Sequence, residues 1–378
     1  MSQIILKESE ALSIGKHLHY LEDTSKVLSV DEVAKASGFQ KSESAIPNIG
    51  FSKSAYWLKV VIDNQSGLSD WVMEIDYPNF DYIDFYMQDS AGSWQVKKMG
   101  DMLPFDSRPL PLRKFAIPLP EKTGIQTYYL RFLTNGVYVF PINLRRTTQL
   151  FSQEMKENLV YGTYYGLMLV MFLYNLLIFI SLKEKSYLYY SLSIFAITFY
   201  ILSLYHHGFQ YFWKNSPVFH NYSLNISLGV WLIIVSLFAA NFLELKRYSY
   251  FFHYSLRAIA IMGIVELLLI FLIDRGTLTR INAASIIIVS LILISGGGYA
   301  LYRGNVAAKH FILAWSAFLI GALTYSLRSF GKLPNNFFTE HSVEIGSAIE
   351  VVLIAFALTA KYQELKRERD KAKAEAIA

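Results

Sequence analysis

Between Tyr161 and Tyr362 the sequence is one long apolar stretch, cut by short polar turns into seven pieces. They are approximately Tyr161–Leu182, Tyr187–His207, Phe219–Leu243, Phe252–Ile273, Ile281–Tyr302, His310–Phe330 and His341–Tyr362. A helix needs about 20 mostly apolar residues to cross a bilayer core of about 30 Å, and each piece meets that length. Water-soluble folds do not stack seven such runs in about 200 residues, so the sequence predicts seven transmembrane helices over residues 156–362.

The overall hydrophobic content of 53% hides two different halves. Residues 1–155 have the composition of an ordinary water-soluble domain. The net charge of +5 does not point to nucleic acid, because much of the excess base flanks the spans, where phospholipid headgroups account for it. The chain has no cysteine, which excludes disulfides and thiolate chemistry. With the N-terminus outside, the inner loops carry Lys183, Lys185, Lys246, Arg247, Arg303 and Lys309, and the tail adds Lys361, Lys366, Arg367 and Arg369. The outer side carries Lys214, Arg275, Arg280, Arg328 and Lys332. The bias puts the C-terminus in the cytosol. Met1–Tyr20 lacks a basic region followed by an apolar core. The expectation is that a cleaved leader precedes the sequence, with export by the first span as the alternative.

Residues 1–155 alternate with period two in short runs separated by turn residues, the pattern of strands. In Tyr56–Ile62, Tyr56, Leu58, Val60 and Ile62 share one face, and Trp57, Lys59 and Val61 the other. Ile83, Phe85 and Met87 oppose Tyr82, Asp84 and Tyr86; Tyr128, Leu130 and Phe132 oppose Tyr129 and Arg131. Many short strands of this kind predict a β-sandwich or jelly roll, with one short helix near Asp31–Ser37. The faces opposite the core gather Trp57, Lys59, Tyr82, Asp84, Tyr86, Tyr129 and Arg131. Aromatic rings and charged ends suit a sugar; the alternative is an outer face, or a surface packed on the membrane domain or on a second subunit. Asp81, Asp84, Asp101 and Asp106 offer oxygens for calcium, although their spacing is not that of an EF-hand loop.

The spans contain polar residues that lipid would not tolerate alone. Glu350 lies near the middle of the seventh and Asn175 in the first, positions suited to relaying a signal; Asn241 lies in the third. His206, His207, Asn225, Glu266, Arg328 and Glu344 lie where an outward-facing polar pocket would form, with Arg328 and Glu344 the expected ion pair. Hydrogen bonding between helices is the competing explanation. Gly296-Gly297-Gly298 in the fifth span permits tight packing or a bend. Beyond the last span, residues 363–378 are highly charged, and Leu358, Tyr362, Leu365, Arg369, Ala372 and Ala376 follow heptad spacing. This predicts an exit helix that either starts a coiled coil in a homodimer or is simply solvated.

This order of parts resembles the bacterial seven-transmembrane receptors with diverse intracellular signalling modules. Tyr56-Trp57-Leu58, the Asn64 turn, Gly92-Ser93-Trp94, Gly100, Arg108 and Tyr129-Leu130-Arg131 resemble that family's type-2 extracellular domain. Tyr174-Asn175-Leu176-Leu177 and Lys185-Ser186-Tyr187-Leu188-Tyr189-Tyr190 resemble its first span and first loop. Ile345-Gly346-Ser347-Ala348-Ile349-Glu350 and Ala357-Leu358 resemble its last span. The resemblance implies a jelly-roll sensor akin to carbohydrate-binding modules, with Arg108 joining the ligand-binding candidates. It also implies an output such as a diguanylate cyclase, histidine kinase or phosphatase. No such domain follows Ala378 here, so the output is expected in a part beyond this sequence or in a separate protein.

The sequence thus predicts three parts: an extracytoplasmic β-sandwich over 1–155, the seven-helix domain, and a cytosolic exit helix. The expected function is a receptor in the bacterial inner membrane without catalytic activity in this chain. It would bind a small extracytoplasmic ligand, carbohydrate or calcium, use no cofactor, touch membrane lipids, dimerise, and act on a cytosolic effector. A transporter or channel is the alternative, although the sequence shows no convincing internal repeat. A retinal protein needs a lysine in its last span, and Ser342–Ala360 has none. No HExxH, GxSxG or paired aspartate motif marks an intramembrane enzyme.

Overall fold

The structure is a computed structural model that describes residues 3–7, 11–121, 124–329, 332–334 and 336–377, without the side chains of 283, 329, 364–365 and 368–377. It divides into two compact units, one of residues 1–159 and 202–223, the other of residues 160–201 and 224–378.

The first unit is built on strands β1 (Ile4–Leu6), β2 (Leu12–Ser13), β3 (His19–Asp23), β4 (Gln40–Lys41), β5 (Asn48–Phe51), β6 (Ala55–Asn64) and β7 (Trp71–Ile75). They are followed by β8 (Tyr82–Gln88), β9 (Trp94–Met99), β10 (Phe115–Pro118), β11 (Gly124–Leu133), β12 (Val137–Val139) and β13 (Ile142–Arg146). One sheet has the order β4-β3-β6-β11-β8-β9, with β1 added parallel to the end of β6. A second has the order β10-β7-β13-β2, and β12 pairs β5 separately. The two larger sheets enclose a common core. Tyr56, Leu58, Val60, Ile62, Ile83, Phe85, Tyr128, Leu130 and Phe132 meet Trp71, Met73, Ile75, Phe115, Ile117, Ile142 and Leu144. The inward face follows the period-two pattern because a one-residue slip would turn this whole apolar set to solvent.

The opposite face of the larger sheet is closed by the chain itself. A short helix α1 (Val30–Lys35) starts at Ser29, whose hydroxyl and Glu32 form a reciprocal cap. Val33 of α1 packs with Leu28, Val30, Ala34 and Phe39 onto Trp57, Tyr86, Trp94 and Tyr129. Trp57 and Tyr129 are therefore buried. The expected open sugar platform is covered, because so much aromatic surface is more stable under apolar side chains than in water.

Seven long apolar helices follow: α2 (Thr147–Leu182), α3 (Lys185–Leu204), α5 (Pro217–Phe242), α7 (Tyr250–Leu269), α8 (Arg275–Tyr302), α9 (Ala307–Ser329) and α11 (Ser342–Ile377). Single turns α4 (His207–Tyr211), α6 (Leu245–Tyr248) and α10 (Phe337–Glu340) sit in the connections. Helices suit this medium because each bonds its own backbone. One boundary differs from expectation: His206 and His207 lie beyond the end of α3. The stretch leading into the first span is helical from Thr147. The triple glycine does not break α8. Gly296 faces the Phe252 ring and Gly297 faces Ile312, so packing is its role. The seventh span runs into the exit helix without interruption. Leu358 of the heptad seam is buried and Tyr362 is at the surface, while the side chains of Leu365, Arg369, Ala372 and Ala376 lie outside the described residues.

Candidate functional site

Residues 202–223, the connection between the second and third spans, fold with the β domain as one unit. Several bonds hold them there. The Phe105 amide donates to the Lys214 carbonyl at 2.9 Å, Lys214 Nζ lies 3.3 Å from Asp106, and Gln210 donates to the Pro111 carbonyl at 3.1 Å. Asn221 Nδ2 donates to the Asp101 carbonyl at 2.9 Å and to its carboxylate at 3.2 Å. Gly208 is needed here, because a Cβ would lie 2.0 Å from the Trp213 ring.

At the centre is a cluster of buried Asp101, Arg108, His206 and His220 with half-buried Asn79. Gly100 delivers Asp101: a Cβ at this glycine would lie 2.1 Å from the Asp81 carbonyl, so only glycine lets the chain pass. His206 is held at φ 61°, a left-handed conformation uncommon for non-glycine residues. Such strain costs about 1–3 kcal/mol and persists only where surrounding contacts over-determine it.

Those contacts assign the protons. Trp213 Nε1 can only donate, and it lies 3.3 Å from His220 Nδ1, which leaves the His220 proton on Nε2. That nitrogen lies 3.1 Å from His206 Nδ1, to which Arg108 Nη2 also donates at 3.3 Å. His206 therefore carries its proton on Nε2 and donates to Asn79 Oδ1 at 3.0 Å. Burial drives the His206 pKa well down, and the neighbouring His220 and Arg108 push the same way. His207 is pushed down to about 3 by burial and by Arg113. Burial pulls Arg108 down to about 9, opposed by the charge of Asp101, so it stays protonated at neutral pH. Its guanidinium lies over the rings of Phe105 and Phe115, at 4.7 and 4.4 Å, and donates to the carbonyls of Leu112 at 3.0 Å and Arg113.

Asp101, His206 and His220 offer ligand atoms all within 4.8 Å of one another, the compass of a metal shell. Two histidines and a carboxylate are a set that zinc accepts. The donors are already engaged, however: His220 Nε2 holds a proton and His206 Nδ1 accepts from Arg108. A dication would also sit against a buried guanidinium. The geometry is that of a hydrogen-bonded lock.

A second buried network ties α2 to the sheets. Lys114 Nζ lies 2.9 Å from Asp76, 2.9 Å from Glu157, 3.7 Å from Glu74 and 3.8 Å from Glu154. Arg113 pairs with Glu157, and Arg145 Nε lies 2.6 Å from Glu74.

The other candidate residues fall into separate places. Tyr86 packs on Trp57 at 5.4 Å, Lys59 lies over the rings of Phe39 and Tyr129 at 5.8 and 5.5 Å, and Tyr82 is exposed. Arg131 pairs with Asp84 at 3.4 Å and donates to the Lys26 carbonyl at 2.8 Å. The four candidate calcium ligands each have a different protein partner: Asp81 accepts from the Asn135 amide at 2.9 Å, Asp84 pairs with Arg131, Asp101 with Asn221 and Asp106 with Lys214.

Of the expected transmembrane pocket, Asn225 and Glu266 do come together. Asn282 links them, donating to Glu266 at 3.0 Å and accepting from Asn225 at 3.2 Å when its amide is oriented to suit both neighbours. Ser285 completes the Glu266 shell. Arg328 lies 4.0 Å from Glu340, and Glu344, its expected partner, is buried one turn further on, in α11. Glu350 accepts from Tyr190 at 3.4 Å. Asn175 donates within its own helix, to the Met171 carbonyl at 2.8 Å. Asn79, Trp213, His220 and Asn221 escaped sequence reasoning. The available signal was a third histidine placed just after an aromatic, polar connection.

A family model described as 7TM diverse intracellular signalling matches residues 157–361, more than half of the 378-residue chain. A second, described as 7TMR-DISM extracellular 2, matches residues 15–146. No curated protein matches the chain.

Proposed function

Because the chain belongs to the family of seven-transmembrane receptors with diverse intracellular signalling modules, we propose that its β domain converts ligand binding into a movement of the membrane helices. The supporting observation is that residues 202–223 fold with the β domain, while α2 and α5 continue covalently from that unit into the next. A rearrangement of the loops holding Asn79, Asp101 and Arg108 therefore acts on the chain entering the third span. The Lys114 network supplies a parallel connection to the first span. The uninterrupted α11 then carries the change to the far side.

In this reading the protein lies in a bacterial inner membrane, with its C-terminus in the cytosol, and acts as a homodimer. It has no catalytic activity in this chain. The effector is a further domain or a separate protein. The ligand is small and polar. Carbohydrate stands ahead of calcium, because exposed Tyr82 still offers a ring to a sugar, whereas each candidate calcium carboxylate has a protein partner.

Single cysteines along Tyr362–Ala376, crosslinked in native membranes with a glycan panel or calcium, test this. A ligand-dependent shift in the pattern is expected. An unchanged pattern with a ligand that calorimetry shows to be bound would overturn it, as would accumulation of that ligand inside proteoliposomes.

A further inference from the structure

On the helical unit, a cleft of about 650 Å³ opens between α3, α5, α6 and α7. Its mouth carries Lys185, Lys246, Arg247 and Arg257, all exposed, and its wall includes Leu237, Ala240 and Leu256. Glu244 is the acidic residue of this lining, and its carboxylate lies 3.1 Å from Lys361 and 3.9 Å from Arg247. The cleft thus keeps a surplus of positive charge above an apolar wall. Two of the lining residues also carry a buried polar atom with no hydrogen-bond partner among the described residues: the Ser236 hydroxyl and His253 Nδ1. A buried polar group left unpaired costs about 1–3 kcal/mol, so both groups would gain from a polar occupant that reaches them.

We propose that this cleft binds the headgroup of an anionic phospholipid. The phosphate meets the four cations, oxygens near the glycerol satisfy Ser236 and His253, and the acyl chains run along Leu237 and Leu256. Basic clefts between membrane helices hold anionic headgroups by this combination of charge and apolar wall. A soluble phosphate compound would use the cations but leave the wall unused, so the lipid is the occupant that fits the whole surface. The inference stands apart from the receptor reading, since it depends on neither ligand nor output.

The test uses the full chain, delipidated in a neutral detergent. Phosphatidylglycerol, phosphatidylcholine of the same chains and inorganic phosphate are each titrated while thermal unfolding and native mass spectra are recorded. Phosphatidylglycerol is expected to raise the unfolding temperature and to appear as a bound adduct. Arg247→Gln/Arg257→Gln should weaken its apparent affinity at least tenfold, whereas Arg303→Gln/Lys309→Gln, on another loop, should not. Ser236→Ala, which only removes an unpaired hydroxyl, should keep the lipid-free stability and lose part of the lipid-induced gain; it serves alone if the arginine variant does not fold. Equal effects of the two lipids, full stabilisation by inorganic phosphate, or unaltered lipid binding by these variants would overturn the proposal.

Discussion

Arg108 Nη2 lies 3.3 Å from His206 Nδ1, joining the loop after β9 to the connection between the second and third spans. The pair is buried, and its hydrogen bonds run on to Asn79 and His220. Removing one partner leaves a buried group without one of its hydrogen bonds, which costs more than the bond itself contributes.

His206→Ala should therefore lower the stability of the β unit by about 2–4 kcal/mol, through the acceptor that buried Arg108 Nη2 loses and the space that the ring leaves. The loss is measured as a fall in thermal midpoint in detergent. Arg108→Lys should recover little, because an ammonium cannot reproduce the planar fork that bonds His206 and two carbonyls together. A midpoint unchanged in His206→Ala would show that the cluster does not hold the connection.

The same cluster fixes a pH dependence. His206 and His207 have pKa values below the ordinary 6.5 in the folded chain. The unfolded chain then binds more protons than the folded one as pH falls below 6.5. Stability is complete above that value and is lost on acidification, by at most about 1.4 kcal/mol per pH unit for each ring. For His207 the loss continues down to about pH 3. The thermal midpoint should fall between pH 6.5 and 4, and His207→Gln should flatten the slope. A midpoint independent of pH in this window would contradict the neutral assignment of both rings.

Lys114 is buried among Glu74, Asp76, Glu154 and Glu157. Lys114→Met leaves that acidic group without its central cation and should cost about 3–5 kcal/mol. Lys114→Arg should cost less. Trypsin cleavage in the segment Thr147–Leu159, followed over time, distinguishes the two: rapid cutting is expected for the methionine variant only.

Helices α9 and α11 cross at two glycines. A Cβ on Gly321 would lie 2.2 Å from the Ser342 carbonyl, and one on Gly346 2.8 Å from the Ala317 carbonyl. Small residues permit such approaches in membranes, where packing has to hold helices together without help from the hydrophobic effect. Gly321→Ala and Gly346→Ala should each destabilise the bundle by about 1–3 kcal/mol, the range for overpacking a close contact. Gly298→Ala meets nothing within 4 Å and should be neutral or slightly stabilising. Denaturation in mixed micelles ranks the three; equal behaviour would contradict the close crossing.

Much of this fold was legible in the chain. The seven spans follow from length and apolarity, because a bilayer leaves few alternatives to a helix of about 20 residues. The core face of β6, Tyr56, Leu58, Val60 and Ile62, follows from strict alternation, since the side-chain period of a strand is two. The continuity of α11 from Ser342 to Ile377 extends a pattern visible at Leu358 and Tyr362. Alternation identifies a second face but not what covers it. Trp57 and Tyr129 read as a sugar platform, an outer face or a surface for another domain or subunit, and only the tertiary placement of α1 made them a floor. The histidine cluster was further out of reach. Asn79, Asp101, Arg108, His206 and His220 come from four separate stretches of chain, and no local period relates them. Their meeting depends on the packing of loops, where contacts such as Arg108–His206 and Asn79–His206, 98 and 127 positions apart, decide the outcome. Local physics determined the elements; long-range packing decided which polar groups had to share a dry interior, and therefore which of them had to pair.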